Sequence, residues 1–161
     1  MRKTILITFL IFIFFIIECM LFEVFGRLFT PDLLLLLVVF ITLGFGVRYG
    51  LFAAILAGFM QDSFGTGIFG IHVFALILCV YLTPFIKKHL YYASRETTRI
   101  ILVFLLVTLN VSVHLIGQLV FHAVDFPNVI QFIYVPQVIT TLLVTAFTFE
   151  QLKVCVSKFC V

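Results

Sequence analysis

The chain has no tryptophan, and only 11% of its 161 residues are charged. A soluble globular domain carries roughly a quarter of its residues as Lys, Arg, Asp and Glu, so this shortage excludes an ordinary water-facing surface. Proline is scarce and there is no low-complexity linker, so 1–161 reads as a single integral membrane domain with no catalytic domain outside it. Cysteine offers no framework either. Cys19 and Cys79 fall in apolar runs, where the thiol acts as a small hydrophobe. Cys155 and Cys160 form no C-x-x-C pair and have no partnering His, so neither a disulfide scaffold nor a metal site is expected. Also missing are an H-E-x-x-H helix, a phosphate-cradling glycine loop and a nucleophile beside a base. No catalytic, cofactor or metal residue is assigned, and the chain is expected not to be an enzyme.

What remains is apolar: 64% hydrophobic residues, 22 of them Phe, with a mean hydropathy of +1.32. Six apolar stretches stand out, at about 4–25, 32–47, 50–63, 69–86, 99–121 and 129–152. A spanning helix needs about 17–25 residues. The second stretch is marginal by that measure and the third is short. The first follows Met1-Arg2-Lys3 like a signal peptide, but Glu18, Cys19, Met20, Leu21 and Phe22 give no small-residue cleavage pattern, so it is expected to stay as a helix.

Charge parity favours six crossings. With the N-terminus cytoplasmic, nine of the ten Lys and Arg fall inside, at Arg2, Lys3, Arg48, Lys87, Lys88, Arg95, Arg99, Lys153 and Lys158, leaving Arg27 outside. Removing the third crossing would move the Lys87–Arg99 group outside, against the positive-inside rule. Both termini are then cytoplasmic. Tyr49, Tyr91 and Tyr92 mark the inner boundary and Tyr134 the outer one, where amphipathic rings settle. The cations sit at the ends of apolar runs and not in one patch, which excludes nucleic acid as a partner.

Polar residues inside apolar stretches are the candidates for function. Glu18 lies well inside the first helix, where a charged carboxylate is costly without a partner. Glu23 is near enough to the end to reach headgroups. Thr30-Pro31-Asp32 opens the second helix, with Pro suited to the first turn, where its missing N–H would have no intrahelical partner, and an acid at the positive end of the dipole. Ala53, Ala54, Ala57 and Gly58 give the third helix a close-packing face and predict it at the centre of the bundle. Gly58 and Asp62 share a face, with Gln61 between, and the turn Gly65-Thr66-Gly67 with Gly70 and His72 brings Asp62 within reach of His72. Asn110, His114, Gln118 and His122 recur every fourth residue, as do Gln137, Thr141 and Thr145. These stripes predict either a polar pocket or interhelical hydrogen bonding.

The order Pro31-Asp32-Leu33-Leu34-Leu35, Gly50, Gly58-x-x-x-Asp62, Gly67-x-x-Gly70-x-His72 and Tyr81 resembles the bacterial rod shape-determining MreD family over essentially the whole chain. That resemblance implies an all-α, polytopic membrane protein, a bundle of six transmembrane helices like the substrate-binding subunits of energy-coupling-factor transporters. It implies a non-enzymatic subunit of the cell-elongation machinery in the bacterial cytoplasmic membrane, without a cofactor. The implied partners are an MreC-like bitopic protein, MreB filaments, the enzymes that polymerise and cross-link peptidoglycan, and membrane lipids. On this reading Glu18, Pro31, Asp32, Gly58, Asp62, Gly67, Gly70 and His72 shape a partner-contact or packing surface, while Asn110, His114, Gln118, Gln137 and Thr141 line a possible polar pocket.

The competing reading is a small-solute binding subunit of a vitamin-type transporter. Its docking helix would carry A-x-x-x-A spacing, and residues 4–25 hold no Ala. The polar stripes are what support it.

Overall fold

The structure, a computed structural model, describes residues 2–25, 31–64, 69–89, 95–121, 139–141 and 143–144. Among these there is no strand. The helices are α1 (Arg2–Phe25), α2 (Leu33–Phe45), α3 (Val47–Phe64), α4 (Ile71–His89) and α5 (Arg95–Phe121), with short helical pieces at 139–141 and 143–144. The rest of the stretch expected at 129–152 lies outside the described residues. Thr4–Val24 and Ile71–Lys88 are the described stretches long and apolar enough to cross a membrane, while Leu33–Phe45 and Ile101–His114 are shorter apolar helices.

Two boundaries differ from those expected. The break expected between the stretches 32–47 and 50–63 falls earlier, at Gly46, which separates α2 from α3 on its own. Its φ of +94° is left-handed backbone open to glycine, and its N–H returns to the Thr42 carbonyl at 3.1 Å. Arg48 then falls in the first turn of α3, which runs 18 residues, or ~27 Å. At the other end of the α3–α4 hairpin Gly70 also has positive φ, +99°. Finally, α5 begins at Arg95, four residues ahead of the stretch expected at 99–121.

The centre of the bundle is α2 and not α3, which corrects the expectation from small residues. Leu33 through Val39 are each at most 4% exposed, and α2 packs against α1, α3, α4 and α5. Apolar composition does not by itself require this, since α1 is also apolar and turns a face outward; α2 is covered because other helices pack on it from several sides. By contrast α3 has two faces. Gly50, Ala53, Ala54, Ala57, Gly58 and Asp62 are buried, while Phe52, Ile55 and Phe59 are exposed. Small residues mark where α3 lies close to its neighbours. A Cβ on Gly58 would fall 2.5 Å from Val73 Cα and 2.7 Å from its N, and one on Gly50 would collide with the Thr42 hydroxyl.

The first helix contributes one stripe, Ile7, Ile11 and Phe15, and turns Ile5, Phe9, Phe12, Ile16 and Met20 outward. On α5 the buried set Leu102, Val103, Leu106, Val107 and Asn110 follows the same spacing. The α3–α4 hairpin puts the C-terminus of α3 beside the N-terminus of α4. One end of the bundle therefore gathers Asp32, Gln61, Asp62 and His72, and the other gathers Arg48, Lys87 and Lys88.

Candidate functional site

At the acid-bearing end, the question is where two helix N-termini put their backbone N–H groups. The first N–H groups of a helix have no intrahelical acceptor, and an apolar interior offers no water. At α2 the accounting closes. The Asp32 N–H donates to Thr141 Oγ1 at 3.2 Å and the Leu33 N–H to the Pro31 carbonyl at 2.9 Å. The Leu34 N–H donates to Glu18 Oε2 at 3.1 Å, and the Leu35 N–H to Asp32 Oδ1 at 3.2 Å. Asp32 is the N-cap. Pro31 thus sits just before the cap, two residues ahead of the first helical position and not in the first turn as expected.

The start of α4 is capped from across the turn. Asp62 Oδ1 accepts the His72 N–H at 3.2 Å and Oδ2 accepts the Val73 N–H at 3.3 Å. The same carboxylate holds His72 Nδ1 at 2.9 Å. One pattern therefore occurs twice: an acid toward the C-terminal end of one helix accepts from the N-terminus of the next. Glu18 of α1 serves α2 and Asp62 of α3 serves α4, each adding negative charge at the positive end of a dipole.

Side-chain amides knit the two caps together. Gln61 Nε2 donates to Glu18 Oε1 at 3.0 Å and lies 3.4 Å from Asp32 Oδ1. Asn110 Nδ2 donates to Asp32 Oδ2 at 2.8 Å. Consecutive helical residues point ~100° apart, so Gln61 and Asp62 reach opposite neighbours, α2 and α4. His114 of α5 packs against His72 in a tilted ring contact, with centroids 4.2 Å apart. Among the described residues no buried side-chain N or O lacks a partner.

Of the residues singled out from sequence, this end brings together Glu18, Pro31, Asp32, Asp62, His72, Asn110, His114 and Thr141. Gly58 lies one turn below, against Val73, and Gly70 carries the turn into α4. Glu18, read as seeking a neighbouring helix or another protein, finds its acceptor work within this chain. The polar stripe sends Asn110 to Asp32 and His114 to His72. Gly67, Gln137 and the side chain of Gln118 lie outside the described residues. Gln61, a spacer between Gly58 and Asp62 in sequence, joins the site as a donor to Glu18, and the only sequence signal for it is its place beside Asp62. Among the described residues no group of three or more His, Cys, Asp or Glu is arranged to hold a metal ion.

Chemically this is an arrangement that fixes helices. Both carboxylate oxygens of Glu18, of Asp32 and of Asp62 accept hydrogen bonds.

A family model described as rod shape-determining protein MreD matches residues 1–159. No curated protein matches the chain, and no solved structure does.

Proposed function

The chain belongs to the MreD family, and from that premise we propose that it is a non-enzymatic subunit that scaffolds the cell-elongation machinery from within the cytoplasmic membrane. The family is a membrane family of rod-shape determination, structural in kind. The finer reading adds six crossings with both termini cytoplasmic. It adds an MreC-like bitopic protein as the direct partner, with MreB filaments and peptidoglycan polymerase and transpeptidase enzymes held directly or through it.

The observation that best supports a scaffold is how the buried polar groups are used. Glu18, Asp32, Gln61, Asp62 and Asn110 hydrogen-bond within the chain, joining α1, α2, α3, α4 and α5 at one end. The outer surface of α1, with Ile5, Phe9, Phe12 and Met20 each more than half exposed, is then an apolar face for lipid or for another protein's membrane helix. The exposed cations Arg48, Lys87 and Lys88 at the opposite end suit anionic headgroups. The solute-binding alternative draws no support from the described part of the stripe, since Asn110 and Thr141 are engaged with α2.

The test is co-purification with the MreC-like protein of the same organism in mild detergent. A stable complex is expected. Failure to associate when both are well expressed, monodisperse and membrane-inserted contradicts the scaffold reading.

A further inference from the structure

Along α4 the bundle turns an apolar face outward, and a cation stands at its end. Phe74, Ile77, Leu78, Tyr81 and Leu82 line an open groove of about 400 Å³. Phe74, Tyr81 and Phe85 are each 60% exposed. The positions 74, 77, 78, 81, 85 and 88 keep to one side of a helix, so the exposed Lys88 continues this stripe. Lys87, also exposed, points ~100° away from it. We propose that this face binds one anionic phospholipid from the leaflet at the basic end, with the phosphate on Lys88 and an acyl chain laid along α4 into the groove.

Length supports the occupant. An acyl chain runs from its headgroup to the middle of the bilayer, half of a hydrocarbon core about 30 Å thick. From Lys88 back to Leu78 the helix rises ~15 Å, the same depth. A lipid anchored at Lys88 therefore lays its chain past Phe85, Leu82 and Tyr81 and ends it in the groove at Leu78. The lining offers that chain dispersion contacts along its length.

Charge selects the headgroup. No Asp or Glu occurs in α4. The ion pair among the described residues is His72 with Asp62, so no described carboxylate neutralises Lys88. Its apolar stem follows the helix surface and its ammonium reaches the interface, where an anionic headgroup is the counter-charge that the membrane supplies. A zwitterionic lipid fills the groove equally well but brings Lys88 no net negative charge. The site requires a chain lying in a membrane and nothing of the scaffold reading, so the two fail separately.

The test exploits the absence of tryptophan. Tyr81→Trp puts a single tryptophan at the groove of the full chain, held in phosphatidylcholine nanodiscs. Phosphatidylglycerol or phosphatidylcholine brominated on the acyl chain, which quenches tryptophan on contact, is included at increasing fractions. Phosphatidylglycerol is expected to quench at about five-fold lower content. Lys88→Gln is expected to remove that preference, and Lys87→Gln, which deletes the same charge from another face, to keep it. Should Tyr81→Trp not be monodisperse, Phe85→Trp carries the probe with the same expectations. Equal quenching by the two lipids overturns the assignment. So does a preference that survives Lys88→Gln, or an equal loss in both lysine variants, the mark of diffuse surface charge. A tryptophan that neither lipid quenches means that another helix covers the face, which overturns it too.

Discussion

The acid-bearing end and the basic end of this bundle use polar residues in opposite ways. At the first, side chains reach between helices: Glu18 to α2, Asp62 to α4, Gln61 to Glu18 and Asn110 to Asp32. Toward the second, hydroxyls turn back on their own helix, Thr42 to the Val38 carbonyl and Thr83 to the Cys79 carbonyl, each at 2.7 Å. The cations Arg48, Lys87 and Lys88 face outward there. The difference follows from helix direction. The N-termini of α2, buried, and α4, half-buried, lie at the acid-bearing end and take side-chain acceptors there. The C-terminus of α2, at the basic end, is closed by the backbone of Gly46. Charge is thus paired within the bundle at one end and exposed at the other.

The largest effect is expected where backbones touch. Gly58→Ala drives a Cβ into Val73, whose backbone has nowhere to go, and is expected to cost about 3 kcal/mol or more of bundle stability. A thermal or denaturant unfolding curve in detergent measures it. Next comes Asp32→Ala, which removes the α2 cap and leaves Asn110 with a buried unpaired amide, at about 2–4 kcal/mol. Asp32→Asn keeps an oxygen for Leu35 and is expected to lose roughly half as much. If the two variants are equal, the cap is not what matters. Asp62→Ala is expected to cost about 2 kcal/mol by uncapping α4, and to raise hydrogen exchange at the His72 and Val73 amides selectively. At the bottom of the scale, Lys87→Gln with Lys88→Gln is expected to leave the unfolding midpoint unchanged. That pair is expected to show instead as a fraction of chains inserted in the wrong orientation, read by cysteine accessibility on each side.

Much of this was legible in the sequence, for reasons that can be named. The helical class followed from apolar run length, and the start of α2 from Pro31-Asp32. The Asp62–His72 contact lay within reach because a short turn joins their helices. The rank of α2 and α3 was not legible. Small residues say where a helix comes close to a neighbour, but an all-apolar helix can face lipid as readily as other helices, so α1 and α2 look alike in sequence while only α2 is covered all round. The destination of Glu18 was hidden as well. An acid in an apolar helix announces that it needs a partner without saying that the partner is a backbone amide sixteen residues on. Gln61 escaped notice because an amide carries no charge to make its burial conspicuous.

The claim that matters most is that the acids act inside the chain, as caps, and that partners meet the outer surface. Glu18→Leu tests it when stability and co-purification with the MreC-like protein are measured on the same preparation. The account predicts that both fall together, because α1 loses its tie to α2 and Gln61. A variant as stable as the parent that no longer binds the partner would contradict it, and would make Glu18 a contact residue instead.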